Sequence, residues 1–600
     1  MSLPLEKVAT GSVTLDWVDV NDAGEVFFIE GRPHESGRQT LLKLTADGQV
    51  VELTPSPISV RARVHEYGGK GYCLLQSGEV AYINDADKGA LYVNQRKITD
   101  GSVRLADMID NGDSIVAVAE NEEQNFLASI DLKTGQIDPI FDTSDFVAAP
   151  SRSVDGKLLW LAWNHPHMPW DTTTLYCKDG EQIKALYGSV GFSILQPEWG
   201  PGQSVIYLSD QTGFWNLFQN EKPLFLMSVD CAKPPWVLGN KTFAFEGDDL
   251  ILAFQKEGFW KLAHRRQDTW IILPLEFADL SSVRLKNHVI YFAASFVDDT
   301  RKICSFDLKT WVLKKLYGQK LELEIISIPE VVNFSSGGQT VTAYYYRPTL
   351  QQTGIPPLLV RAHGGPTAQT TPSFNWTIAF WTSQGYGYLD VNYRGSSGSG
   401  RKFRESLYGQ WGVYDWQDCE KAASIIVKRG LVDPKAVFIT GSSAGGYTVL
   451  SALTYSRLFT AGTSYYGVIN LESLIKSGAK FESFYVQKLA GVEIVPFPLD
   501  ELNRPLLFFH GKEDKVVPPN QPEELFNMLK EKGIPTDLKI YEKEGHGFRG
   551  QEAIIDTLQR ELAFYNQFVP PRPAPIEIVL DEPSPDDEEP LSDQDLEEQI

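Results

Sequence analysis

Cysteine is sparse in this 600-residue sequence. The five residues, Cys73, Cys177, Cys231, Cys304 and Cys419, are scattered and odd in number. None stands at metal-ligand spacing and the set does not close into a disulfide framework, so free thiols of a reducing compartment are expected. Long apolar runs are also missing. Nowhere do about 18 apolar residues follow one another, which excludes a membrane-spanning helix. The start, MSLPLEKVATGSV, has no basic segment ahead of an apolar run, so no signal peptide is expected. Positive charge is in deficit: 55 Lys and Arg face 78 Asp and Glu, a formal net charge of −23. The last stretch, 571–600, holds eleven acids against one base, Arg572; it carries −10 and leaves −13 elsewhere. An acidic surface repels phosphate backbones and anionic lipid, so neither nucleic acid nor membrane is an expected partner. A cytoplasmic protein fits these absences.

What is present is core-forming material, at 42% hydrophobic and 12% aromatic residues. The first half reads as short strands and turns. Apolar or alternating runs centre near Phe27, Val80, Val116, Leu159, Tyr207, Ile251 and Tyr291, spaced by roughly 35–55 residues, the period of propeller blades. One turn recurs almost word for word, SIDLKTG at Ser129–Gly135 and SFDLKTW at Ser305–Trp311. A β-propeller of about seven blades over 1–325 is expected. From there to residue 570, solid apolar strands (PPLLVRAHGG, AVFITGSS, PLLFFHG) alternate with helical patterns. That alternation predicts a doubly wound, mostly parallel sheet. The Pro-, Asp- and Glu-rich end, 571–600, cannot build a core and reads as a disordered tail.

The stretch VFITGSSAGGYTV carries a G-x-S-x-G pattern between a strand and a helix. The turn around a nucleophilic serine is tight, so the residues two before and two after it must be small. Ser443 has Gly441 and Gly445 at those places. Ser442 has Thr440 and Ala444, and a β-branched residue crowds the turn. Ser443 is therefore the nucleophile candidate. A triad needs an acid and then a histidine, each after a later strand. PLLFFHGKEDKVV offers Asp514, with Glu513 as a rival, and YEKEGHGFRG offers His546. The backbone N–H of Ala444, at the positive end of the following helix, is one oxyanion donor. The loop at Gly364 and Gly365 supplies the other.

These motifs resemble the prolyl oligopeptidase family of serine peptidases, in particular its acylaminoacyl-peptidase-like branch. The similarity runs through AHGGP (Ala362–Pro366), NYRGSSGSGRKF (Asn392–Phe403), WGVYDWQD (Trp411–Asp418), TGSSAGGY (Thr440–Tyr447), HGKEDKVVPPNQ (His510–Gln521) and GHGF (Gly545–Phe548). It reaches the first half through VHEYGG (Val64–Gly69), WNHPHMPWD (Trp163–Asp171) and EWGPGQSVIYLSDQTGFWNLF (Glu198–Phe218). The family's HG-x-x-D pattern selects Asp514 over Glu513. The resemblance implies a propeller over an α/β-hydrolase domain and cleavage of short peptides through an acyl-enzyme, without metal or cofactor. Relatives occur as monomers, dimers and larger rings, so a homo-oligomer stays open. It also implies an S1 pocket from Val468, Leu471 and Leu474, with Val517, suited to an apolar or proline side chain. Glu66 in VHEYGG is a candidate ligand for a free amine, or a structural ion pair with its basic neighbours. Acylaminoacyl-peptidase, aminopeptidase and dipeptidyl-peptidase activities all remain open, with a carboxylesterase on small acyl esters as the alternative. Glu122 and Glu123 fall in a turn and read as solvated. His165 and His167 have only Asp171 nearby and read as packing residues rather than metal ligands. GSSGSG at Gly395–Gly400 lacks the lysine of a phosphate loop.

Overall fold

The computed structural model describes residues 2–188, 190–350, 354–491 and 497–571. Apart from Pro571, the expected acidic tail lies outside them.

Seven four-stranded antiparallel sheets form the propeller: Thr14–Glu52, Tyr72–Lys97, Arg104–Phe141, Phe146–Tyr187, Ile194–Phe225, Phe243–Ile272 and Asp279–Tyr317. In each blade the second strand is largely buried and the outermost strand largely exposed or half-buried. In the fourth blade Leu158–Trp163 is buried at every position, whereas Gln182–Tyr187 is mostly exposed. The repeated DLKT turns share one mechanism. Asp131 Oδ1 accepts the N–H groups of Lys133 and Thr134 at 2.8 and 2.7 Å, and Asp307 Oδ1 accepts those of Lys309 and Thr310 at 2.7 and 2.9 Å. The first turn closes on Gly135 at φ 75°; the second puts Trp311 at φ 58°. Among the described residues no strand is shared between the first and last blades. Side chains close the ring instead: Leu15, Val18 and Phe28 pack with Ala293 and Ile303, and Arg301 donates to Leu15 O at 2.7 Å and pairs with Asp16.

The expected boundary at residue 1 needs a correction. Helix α1, Leu5–Gly11, does not belong to a blade. Leu3 and Val8 are buried with Trp376, Ile378, Leu558 and Phe564 of the second domain. A short helix with one apolar face needs a partner, and the helical layer of the second domain supplies it.

That second domain is a single eight-stranded sheet. Its strands are β1 (Glu330–Ser336), β2 (Gln339–Tyr346), β3 (Leu358–Ala362), β4 (Gly387–Asn392), β5 (Val437–Ser442), β6 (Ala461–Tyr465), β7 (Leu506–Gly511) and β8 (Thr536–Tyr541). Their order is β1-β2-β4-β3-β5-β6-β7-β8, with the β1–β2 and β2–β4 pairs antiparallel and the remainder parallel. Strand alternation sends Val360 and Ile439 to the face covered by helices α3 (Tyr414–Lys428) and α4 (Ala444–Tyr455). Leu359 and Phe438 face helix α2 (Trp376–Ser383), α1 and the last helix, α5 (Gln551–Asn566). This is a doubly wound α/β-hydrolase sheet.

One apolar cluster runs through both domains. A buried ionic contact pins them together. Arg404 and Asp210 have fully buried side chains and meet at 2.5 Å, Arg401 joins the same carboxylate at 3.0 Å, and the Arg404 guanidinium lies 4.1 Å from the Trp215 ring.

Candidate active site

Ser443 sits at the C-terminal end of β5, just before α4, at φ 54° and ψ −120°. A non-glycine residue in that region is strained and is held there by its surroundings. The surroundings are tight. A Cβ on Gly441 would stand 2.3 Å from Gly445 O, and one on Gly445 would stand 2.2 Å from Ala362 O. The smallness inferred from the sequence is thus a steric requirement of the turn.

His546 brings its Nε2 to 2.8 Å from Ser443 Oγ and its Nδ1 to 2.8 Å from Asp514 Oδ2. Asp514 is buried, and its other oxygen accepts the N–H groups of Val516 and Val517, each at 2.9 Å. The loop that presents it is held from below, where His510 Nε2 donates to Val517 O at 2.9 Å. Asp514 can accept only, so His546 carries its proton on Nδ1 and leaves Nε2 free to accept from the Ser443 hydroxyl.

The Gly364–Gly365 loop is braced by residues whose part sequence reasoning missed. His363 is buried and stacks on Tyr393 at 4.3 Å between centroids. Its Nδ1 lies 2.8 Å from Gly364 O and its Nε2 2.7 Å from Ser396 Oγ. Burial drives this imidazole down to about 4, so it is neutral. Gly364 O can only accept, so Nδ1 holds the proton; the Ser396 hydroxyl lies between His363 Nε2 and Tyr393 O, which it reaches at 2.6 Å. The glycine- and serine-rich 395–400 loop thus buttresses the turn beside Ser443. Gly365 takes φ 121°, and a Cβ on Gly364 would stand 3.3 Å from Ser443 Cβ. The N–H of Ala444 begins α4 and belongs to the first-turn donors that have no intrahelical acceptor.

A cavity opens between Ser443, Ala444 and Gly365. Val468, Leu474 and Val517 line it, joined by Trp411, Tyr485 and Leu489. Leu471 is buried elsewhere in the core and is not part of its wall. Glu66 does not line it either. Its carboxylate pairs with Arg104 at 2.6 Å, an ion pair between the segment preceding the second blade and the first strand of the third. The acid that does reach the cavity is Glu482, which sequence reasoning missed. It accepts from the Tyr67 hydroxyl at 2.8 Å, and among the described residues no basic side chain forms an ion pair with it. Burial pushes its carboxyl up to about 6, against opposing pulls from Tyr67 and His546. The only sequence signal was an acid inside the apolar segment KFESFY. Phe481 beside it stacks on His65 at 4.6 Å, so the VHEYGG motif props this segment from the propeller. His165 packs on the Phe146 and Phe484 rings. Glu123 lies in a turn and its carbonyl accepts from Lys480.

A seven-bladed propeller over this sheet order, with a serine, histidine and aspartate in hydrogen-bonded series at the strand ends, defines a class of two-domain hydrolase folds. Residues 372–570 match the sequence model described as the prolyl oligopeptidase family. Dipeptidyl peptidase family member 6 of Caenorhabditis elegans is 30% identical over 209 residues, 32% of this chain and 28% of that protein. The acylamino-acid-releasing enzyme of Arabidopsis thaliana is 26% identical over 230 residues, 35% of this chain and 30% of that protein. These matches span under a third of the relatives' length. The solved structure of a Mycobacterium tuberculosis puromycin-hydrolyzing peptidase matches at a TM-score of 0.89 and 29% identity, over 95% of this chain and 97% of that one. The Pyrococcus horikoshii acylaminoacyl peptidase matches at 0.73 and 16% identity, over 94% and 97%, a likeness of fold. Similarity to the prolyl oligopeptidase family is therefore carried by residues 372–570, and the likeness to the puromycin-hydrolyzing peptidase extends over both domains. Among the described residues no helix is long and apolar enough to cross a membrane.

Proposed function

We propose that this protein is a serine exopeptidase that removes an apolar or aromatic residue bearing a free α-amine from short peptides and aminoacyl amides, in a reducing compartment. The observation that carries the amine requirement is Glu482, a recessed carboxylate in the wall of the Ser443 cavity with no cationic partner among the described residues. A substrate ammonium completes the ion pair that the protein leaves open. The α-amine lies two bonds from the scissile carbonyl, which suits an anchor in the same cavity as the nucleophile. Apolar walls at Val468, Leu474 and Val517 take the side chain.

In the reaction, Ser443 Oγ attacks the carbonyl carbon as His546 Nε2 takes its proton. The N–H groups of Ala444 and the Gly364–Gly365 loop receive the developing oxyanion. His546 then protonates the departing amine, leaving an acyl-enzyme that water opens by the reverse proton path. The relative named for puromycin hydrolysis fits this reading, because puromycin is an amide of an aromatic amino acid with its α-amine free.

Glu482→Gln tests it. The loss of a charge-assisted contact lowers kcat/KM for phenylalanyl amides by roughly 10–100-fold and leaves the N-acetylated substrates unchanged. An equal fall for both substrates would remove Glu482 as the anchor.

A further inference from the structure

Arg361 occupies the central strand β3, flanked by β4 and β5, where side chains are normally sealed. Its side chain is nonetheless 36% accessible. Solvent reaches it through a second cavity, between the sheet and helices α2 and α5. This cavity shares no lining residue with the one at Ser443. The Tyr466 ring, 5.0 Å from the His546 ring, belongs to its wall, and so does Ser442, next to the nucleophile.

The wall has two halves. One is apolar, with Trp381, Phe548, Ile554 and Leu558. The other is polar and carries unused donors. Arg361 gives Nη1 to Asp390, at 2.9 and 3.2 Å, and no other nitrogen of this guanidinium has a hydrogen-bond partner among the described residues. Asp390 keeps this cation firmly charged. Tyr388 is 2% exposed, lines the cavity, and its hydroxyl makes no hydrogen bond among the described residues. Donors left open to a half-apolar cavity fit a ligand with acceptor oxygens and an apolar body.

Charge narrows the class. Asp390 offsets much of the Arg361 charge, and Glu561 on the same wall disfavours a dianion. Glu561 accepts from the Tyr465 and Tyr565 hydroxyls at 2.7 and 3.3 Å, and burial raises its pKa. We infer that this cavity is a second, non-catalytic binding site for a small monocarboxylate with an aryl or branched alkyl body, held by Arg361 and Tyr388. Its occupant touches Tyr466 and Ser442, so occupancy changes kcat.

The probe is 3-phenylpropionate, titrated calorimetrically into full-length protein whose Ser443 has been phosphonylated to block the catalytic cavity. Saturable one-to-one binding is expected, with the neutral 3-phenylpropionamide at least ~10-fold weaker, because the charge-assisted contact is gone. Thr377→Trp fills the cavity from α2 without disturbing the Arg361–Asp390 pair and should abolish binding; Tyr388→Phe should weaken it severalfold. Absence of binding to the blocked protein, equal binding of acid and amide, or binding that survives in a folded Thr377→Trp protein would each overturn the assignment.

Discussion

Asp514→Asn exchanges one oxygen for an NH₂ group, and the surroundings dictate which. Oδ1 already accepts two backbone N–H groups at 2.9 Å, from Val516 and Val517. Turning the NH₂ towards them sets donors against donors and leaves buried groups unpaired, at about 1–3 kcal/mol each. The amide oxygen therefore stays there and the NH₂ faces His546 Nδ1, 2.8 Å away in the parent. A donor at that point requires Nδ1 to accept. The imidazole proton moves to Nε2, which faces Ser443 Oγ and can no longer take its proton. The fold is untouched and the base is lost. Such a tautomer switch lowers kcat by about 10⁴, or ~5.5 kcal/mol of barrier. The assay is steady-state hydrolysis of a phenylalanyl aminocoumarin amide at neutral pH, with circular dichroism to verify folding. A folded Asp514→Asn protein whose rate stays within about tenfold of the parent would refute the tautomer argument and the role given to Asp514.

Other outcomes follow from the same geometry. Gly445→Ala drives a Cβ to 2.2 Å from Ala362 O, and overpacking of ~3 kcal/mol or more should appear in urea denaturation, together with lost activity. Asp210→Ala strands Arg404 at the domain interface. Leaving a buried charge unpaired costs about 3–5 kcal/mol, read as a lower denaturation midpoint. Glu482, raised to about 6, becomes neutral as pH falls through that value and then no longer attracts an ammonium. The ratio of kcat/KM for free over acetylated substrate should therefore fall below about pH 6, and fall again above ~8 as the substrate amine loses its proton. Glu482→Gln should flatten both limbs, because the ammonium then has no carboxylate to meet.

The parts legible in the sequence are those set by local rules. Blade period and turn chemistry outline the propeller, and the crowding at Gly441 and Gly445 singles out Ser443 from its neighbour. Alternating strands and helices outline the doubly wound sheet. What stayed hidden depends on pairs far apart in the chain. Glu482 becomes a cavity acid through Tyr67, 415 residues away, and no local pattern in KFESFY announces that. Glu66 sits in a motif that invites a functional reading, yet Arg104 claims its carboxylate. Leu471 and Leu474 lie on one short helix, and only packing decides that Leu474 faces the cavity. The docking of α1 onto the second domain likewise depends on a surface built more than 360 residues later, at Trp376 and Ile378. Ser396 shows the same dependence. Its loop reads locally as a glycine- and serine-rich turn, and its task of holding His363, 33 residues earlier, is set only by the fold.

The central claim is that Ser443 hydrolyses amides of amino acids whose amine is free. The most direct measurement compares kcat/KM for phenylalanyl and N-acetylphenylalanyl aminocoumarin amides, side by side, in the parent and in Ser443→Ala. The account predicts that the free-amine substrate wins by at least ~10-fold, the worth of one charge-assisted contact, and that both activities vanish in Ser443→Ala. Preference for the acetylated substrate would contradict the amine anchor, and hydrolysis that survives in Ser443→Ala would contradict the nucleophile itself.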